Sequence, residues 1–327
     1  MTTRHLGVAL LLLGCNTPKV TPAASVDANA PRESALAVAP SAGPGVERPY
    51  PMPAQLPERE PATIAAAGDI SDTEIGMQKR TSDLVYNKAF HAVLLLGDNQ
   101  YLRGAAGDYK SYFAPTWGRF KSLLRPTPGN HDYYTPSAAG YFEYFGSQAG
   151  EPGKGYYSFD LASWHLIALN TNSGCKSVAC DASSEQVAWL KADLARSKKK
   201  CTLAFWHHPL FNSGSQHGNF RGAIGLWEAL YAANADVVLN GHEHIYERFD
   251  PQTPSGEPDA QRGIREFIVG TGGIGFYDLG NAKPNSVVRQ ASSYGILKLT
   301  LKAESYDWEF IAVAPSTFTD KGSGSCH

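Results

Sequence analysis

Three apolar runs in this chain stop abruptly at a glycine followed by an acid or an imidazole. Ile64-Ala65-Ala66-Ala67 leads into Gly68-Asp69, and Ala92-Val93-Leu94-Leu95-Leu96 into Gly97-Asp98-Asn99-Gln100-Tyr101. Val237-Val238-Leu239-Asn240 leads into Gly241-His242-Glu243-His244. Two more polar segments, Gly129-Asn130-His131-Asp132 and Trp206-His207-His208-Pro209, have the same character. A short apolar run bounded by turn residues reads as a buried strand. A strand that ends in Gly-Asp or Gly-His throws a polar side chain off the edge of a sheet, and glycine lets the backbone turn tightly there. Several such edges together make one pocket with ligands for two metal ions.

The rest of the pattern supplies the frame. From Thr63 onward, strand and helix periodicities alternate. Strands are predicted at 64–68, 92–96, 156–159, 166–169, 203–205 and 237–239. Helices are predicted over 72–90, over 106–124 with a break at Pro115, over 183–196 and over 226–233. Ser183 or Ser184 can cap the third helix, with Glu185 and Gln186 in its first turn. The C-terminal part, 266–269 and 296–313, alternates in the β manner. This order predicts an α/β fold, a four-layer αββα sandwich, with ligands gathered beyond the carboxyl ends of the strands. Gly270-Thr271-Gly272-Gly273-Ile274-Gly275 lacks the lysine and strand–loop–helix context of a phosphate loop and reads as a turn lining the site.

Composition narrows the class. A formal net charge of −2 over 327 residues gives no basic field for nucleic acid. The run Lys198-Lys199-Lys200 follows a predicted helix end, where cations complement the dipole. Arg4 and His5 precede the short apolar run Leu6 to Gly14, which ends at Cys15. This is the order of a secretory signal and too short for a membrane span. Leu12-Leu13-Gly14-Cys15 resembles a bacterial lipoprotein signal, so residues 1–15 are expected to be the signal, with lipid carried on Cys15. Asn16 after Cys15 suggests an outer membrane, or the periplasmic side, as the destination. Residues 16–60 hold nine Pro and nine Ala and read as a disordered tether, leaving 61–327 as one catalytic domain. Four cysteines remain in an exported chain, which suggests two disulfides. Of the three pairings, Cys175–Cys180 with Cys201–Cys326 is favoured.

Each polar segment is weak evidence alone, since Asn and Asp favour turns and a histidine can be a satisfied core residue. In or near them lie six of the ten histidines: His131, His207, His208, His217, His242 and His244. Hard oxygens and imidazoles suit Fe, Zn or Mn, and a two-metal site needs a bridging carboxylate, for which Asp98 is the candidate. At this point residues 61–315 resemble the calcineurin-like metallophosphoesterases, and within them the purple acid phosphatases of the tartrate-resistant type. The resemblance implies that Asp69, Asp98, Tyr101 and His244 hold a first ion, Fe(III). It implies that Asp98, Asn130, His207 and His242 hold a second, Fe(II), Zn or Mn, with Asp98 shared. Tyr101, three residues after Asp98, separates the purple phosphatases from the wider superfamily. His131 matches an outer-shell histidine beside the substrate, and His217 a second one. The spacing of His217 from His207 is one residue off the small mammalian-type pattern. His208 stands where that type has tyrosine and is a third catalytic candidate. His91 and His165 match no motif and read as structural.

The implied function is hydrolysis of a small phosphate monoester outside the cytoplasm by direct attack of metal-bound hydroxide, with His131 and His217 attending the departing oxygen. The alternative is a phosphodiesterase or nucleotide hydrolase using the same ions. Selectivity between them would lie in loops 102–118, 133–155 and 212–222, where Tyr133-Tyr134, Tyr141-Phe142 and Tyr144-Phe145 can either pack or stack a base. A surface lipoprotein that only binds would be expected to have lost ligands, and every ligand position is filled.

Overall fold

The computed structural model describes residues 61–172 and 174–327, so the signal expected at 1–15 and the tether at 16–60 lie outside the described residues. Alternate residues of the same strand enter different cores, and that alternation defines the layers. In β1 (Ala62–Ala67) and β2 (Ala92–Leu96), Ile64, Ala66, Leu94 and Leu96 join one apolar cluster, while Ala65, Ala67, Val93 and Leu95 join another. Strands buried on both faces read as continuous apolar runs, which is why these were visible in the sequence.

The remaining elements in chain order are α1 (Met77–Asp83), the single turn α2 (Ala106–Asp108), β3 (Leu124–Thr127) and α3 (Ala139–Phe145). Next come β4 (Tyr157–Leu161), β5 (Trp164–Ala168), α4 (Glu185–Arg196), β6 (Cys201–Phe205), α5 (Ile224–Ala232) and β7 (Val237–Asn240). The chain closes with β8 (Tyr246–Phe249), β9 (Arg265–Val269), β10 (Ser286–Gln290), β11 (Gly295–Leu301), β12 (Ser305–Ala312) and β13 (Lys321–Ser325). One sheet has the order β13-β12-β11-β1-β2-β3, the other β10-β8-β9-β7-β6-β5-β4. Their facing residues, among them Ile64, Leu94, Phe205, Leu239, Phe267 and Leu299, form the central core. The outer face of the first sheet packs on α3 and the 109–123 turns, and that of the second on α4 and α5. The result is the four-layer αββα sandwich expected from the sequence.

β1, β2 and β3 run parallel, as do β5, β6, β7 and β9. Their carboxyl ends therefore open at one edge of the sandwich. There the two sheets are stitched by backbone bonds from Gly68 N–H to Val269 O (2.9 Å) and from Gly272 N–H to Gly68 O (3.0 Å).

Several local expectations are corrected. The helix expected over 72–90 is only α1. The Gln78 side chain accepts from Gly76 N–H as the chain enters it, and Asn87 turns left-handed at φ 58° after it. The helix expected over 106–124 breaks into a single α-turn, a wide turn over Tyr109–Phe113 and a tight one over Trp117–Leu123. Pro115, which has no N–H to donate, sits between the last two. The strands β3, β8, β10 and β13 were not anticipated. β13, Lys-Gly-Ser-Gly-Ser, carries no strand signal and is held as an edge by its neighbour. α4 begins as expected, with the Ser184 hydroxyl accepting from Val187 N–H. Both favoured disulfides are present, Cys175–Cys180 and Cys201–Cys326. His91 Nδ1 accepts from Thr63 N–H, and His165 lies between Asp160 and Asp193, both far from the strand-end cluster in role.

Candidate metal centre

Three strand ends deliver their residue through a strained turn. Asp69 follows β1, Asp98 follows β2 and His242 follows β7, with φ of 58°, 49° and 71°. Non-glycine residues enter this left-handed region at a cost and cluster at functional sites. Glycines leave the space these turns require. A Cβ on Gly129 would fall 2.1 Å from Asp98 Oδ1, and one on Gly97 2.6 Å from His207 Nδ1.

The two carboxylates are oriented in the same way. One oxygen is tied to a backbone N–H and the other is turned inward. Asp69 Oδ2 accepts from His242 N–H (2.8 Å), and Asp98 Oδ1 accepts from His131 N–H (2.7 Å). Around the free oxygens two donor sets form. The Tyr101 hydroxyl lies 3.0 Å from Asp69 Oδ1, 2.9 Å from Asp98 Oδ2 and 3.0 Å from His244 Nε2. His207 Nε2 lies 3.2 Å from Asp98 Oδ2, 3.1 Å from Asn130 Oδ1 and 3.2 Å from His242 Nδ1. Asp98 Oδ2 belongs to both sets.

The imidazoles are fixed by what they face on the other side. His207 Nδ1 is 2.9 Å from Leu96 O, His244 Nδ1 2.7 Å from Gly275 O, and His131 Nδ1 2.7 Å from Leu102 O. A carbonyl only accepts, so each Nδ1 carries a proton and each Nε2 points inward, where a cation can replace any proton it holds. Metal-binding histidines are oriented this way. A cluster of oxygens and imidazole nitrogens packed within hydrogen-bond distance suits cations, and hard or intermediate ones.

The charges are tightly linked. Burial opposes ionisation of Asp98, but His207 and His131 hold its carboxyl well below the ordinary range. Against the same burial, Asp98 and Asp69 lift His207 to about 9. Burial, reinforced by Asp98 and Asp69, pushes the Tyr101 phenol well above its usual value. A metal cation at the centre inverts that balance and favours the phenolate.

All ten residues singled out in the sequence meet here. His131 and His217 reach the open side. The His131 ring lies against Tyr101 (centroids 4.0 Å) and Tyr134 (4.7 Å), with Nε2 4.0 Å from Asp98 Oδ2. The His217 ring stacks on His242 at 4.0 Å. His208 is buried behind His242, ring centroids 4.2 Å apart, and its Nδ1 lies 2.9 Å from the Thr171 hydroxyl. Burial, with His207 beside it, holds His208 well below its ordinary pKa, so it is neutral. The 270–275 glycine segment lines the site as a turn, with Ile274 N–H donating to Asp69 O.

Three residues escaped the sequence reading. Asp132 is buried and accepts from Gly129 N–H, Asn99 N–H, the Asn99 amide and the Tyr109 hydroxyl, tying the β2 and β3 loops together. Tyr277 stacks on His244 at 4.0 Å and stands edge-on to His217. Glu243, inside Gly-His-Glu-His, is wholly buried. The motifs displayed two of them, but nothing in their spacing separates a brace from a ligand.

Residues 62–246 match the calcineurin-like phosphoesterase family. This chain belongs to that family. The phosphoesterase is also similar to purple acid phosphatases of Arabidopsis thaliana. It is 32% identical to purple acid phosphatase 15 over 60% of this chain and 42% of that one. It is 31% identical to purple acid phosphatase 18 over 59% and 46% respectively. The chain thus spans less than half the length of these relatives. Its fold is that of the purple acid phosphatase PPD1 from yellow lupin seeds, with a TM-score of 0.71 at 17% identity over 83% of this chain and 55% of that one. Family membership implies a dinuclear metal site, and the two donor sets fit one.

Proposed function

We propose that this phosphoesterase is a purple-acid-phosphatase-like hydrolase of phosphate monoesters. In this reading Asp69, Asp98, Tyr101 and His244 hold Fe(III). Asp98, Asn130, His207 and His242 hold Fe(II), Zn or Mn. The observation that carries it is the Tyr101 hydroxyl, buried at the meeting point of Asp69, Asp98 and His244. When bound, the two ions supply positive charge to the phosphoryl oxygens and acidify water.

The protein side of the chemistry is positional. Asp98 and Asp69, each tied by a backbone N–H, keep the donor sets from rotating away. His131 and His217, at the open side, would act in their imidazolium form, each Nδ1 proton held by its protein acceptor and the Nε2 proton offered to the departing oxygen of the ester. His208, neutral and covered, supports the His242 ring and does not touch substrate. We place the protein outside the cytoplasm, on a bacterial membrane through lipid on Cys15. Its two disulfides support an oxidising compartment.

The test is a visible absorption spectrum with metal analysis, on the purified protein and on Tyr101→Phe. A purple band lost in the variant, with about two metals per chain, supports the reading. A colourless enzyme with two zinc or manganese ions rejects the iron assignment. Comparable turnover of bis-aryl and mono-aryl phosphates rejects the monoester assignment. Normal activity in both Asp98→Asn and His207→Ala would overturn the whole account.

A further inference from the structure

Glu243 stands between two residues of the metal donor sets, yet its side chain turns away from both. It is wholly buried and faces the loop after β6. Oε2 accepts from the Asn212 amide (2.8 Å), His217 N–H (3.2 Å) and His217 Nδ1 (3.1 Å). Oε1 accepts from Gln216 N–H (3.1 Å). The loop is shaped to admit it, since a Cβ on Gly214 would fall 2.0 Å from Oε1. A carboxylate only accepts, so the proton on this side of His217 sits on Nδ1, and Nε2 is left facing the open side. Stacking on His242 at 4.0 Å fixes the plane of the ring. His217 itself is one-third exposed, and of these contacts only the Glu243 carboxylate tells its two ring nitrogens apart.

We propose that Glu243 is a positioning residue: it takes the Nδ1 proton of His217 as a hydrogen bond and fixes the ring, so that in the imidazolium form the Nε2–H faces the leaving-group oxygen and passes its proton to it. The inference rests on the phosphatase reading and on the place given there to His217. A carboxylate behind an imidazole performs the same service in other hydrolases, where loss of the orienting acid costs turnover while the site stays assembled. The competing account is that Glu243 merely holds the 212–217 loop in shape. The two differ in how its loss combines with the loss of His217.

The experiment measures kcat, KM and metal content for His217→Ala, Glu243→Ala and the double variant. Each is assayed on an alkyl phosphate, whose leaving group needs a proton, and on 4-nitrophenyl phosphate, whose leaving group does not. His217→Ala should lower kcat on the alkyl ester about a hundredfold and on the nitrophenyl ester far less. Glu243→Ala should lower alkyl-ester kcat at least tenfold and add nothing once His217 is gone. Glu243→Gln, which can still accept from Nδ1, should recover most of the loss. Metal content should stay unchanged throughout. Losses that multiply in the double variant, equal losses on both esters, or loss of metal from Glu243→Ala would each overturn the proposal.

Should Glu243→Ala not fold, nitrogen-15 NMR of the histidines in the zinc-loaded wild type decides. A proton on Nδ1 of His217 is required, and one on Nε2 alone refutes it. If wild type holds two metals and hydrolyses neither ester, the phosphatase reading has failed, and the same tautomer measurement still decides the Glu243 contact.

Discussion

The two disulfides close loops of very different length, and this sets an unequal stability contribution. Cys201–Cys326 spans 125 residues and Cys175–Cys180 spans 5. The loop-closure relation for a cross-linked unfolded chain gives about 5 kcal/mol for the first and about 2 kcal/mol for the second at 25 °C. The native state adds to the contrast. Cys326 follows β13, an edge strand of alternating glycine and serine that pairs only with β12. Without the bridge, that strand has little burial to hold it. Both cysteines should be replaced together, as Cys201→Ala with Cys326→Ala and as Cys175→Ala with Cys180→Ala, so that no free thiol remains. Equilibrium urea unfolding followed by tryptophan fluorescence reads the change, because Trp117, Trp164, Trp206 and Trp227 are fully buried. The long-bridge pair should lose about 5 kcal/mol and the short-bridge pair about 2. Turnover of the folded long-bridge pair should be unchanged, because Cys201 opens β6 at the end opposite His207. A loss from the long-bridge pair no greater than that from the short-bridge pair would refute the loop-length reasoning.

Other outcomes follow from single side chains. Gly129→Ala places a Cβ 2.1 Å from Asp98 Oδ1, so kcat/KM should fall roughly a hundredfold as Asp98 is displaced; normal activity with full metal content would contradict the packing argument. Tyr134 is 46% exposed beside His131. Tyr134→Ala should therefore raise KM several-fold for aryl phosphates and leave that for alkyl phosphates unchanged, as steady-state kinetics would show. His165 is raised to about 9 because Asp160 and Asp193 outweigh its burial. Its folded value lies above its unfolded one, so the stability it adds is fully present below about pH 6.5 and is lost as pH rises through 9. The unfolding free-energy gap between wild type and His165→Asn should shrink by on the order of 3 kcal/mol from pH 6 to pH 9.5. A gap constant with pH would deny the charged triad.

What the sequence disclosed and what it withheld separate along a physical line. Asp69, Asp98 and His242 were legible because their strands are buried on both faces. The apolar run is therefore unbroken, and the glycine that ends it marks where the chain must turn into left-handed backbone. The layers were legible for the same reason, since Ile64, Leu94 and Leu203 can only be matched by a second sheet. β13 was not legible, because an edge of glycine and serine is held by β12 and a disulfide, not by its own propensity. The helix expected over 72–90 starts late because the chain entering it is tied to the site, where Ser71 bridges Gln100 and the Gln100 amide donates to Asp72 O. Tertiary demand there overrides local periodicity.

The same line runs through the site itself. A residue that points into the centre must be an acid, an amide, a phenol or an imidazole placed just after a strand, and few positions satisfy that. A residue that braces the centre can come from anywhere its side chain reaches. Asp132 grips Asn99 across 33 residues, and Glu243 grips His217 across 26. Neither distance has a period or a motif. Both acids are buried and ringed by hydrogen-bond donors, an arrangement that exists only once the loops have closed around them. The inward donors thus define the class of chemistry, and the buried acids behind them define which tautomer and which rotamer performs it. If Asp132→Asn, which keeps the shape but replaces one acceptor oxygen with a donor, leaves metal content and kcat intact, the division between inward donors and buried braces is misdrawn. The four donors that converge on Asp132 require instead that the β2 and β3 loops separate and both values fall together.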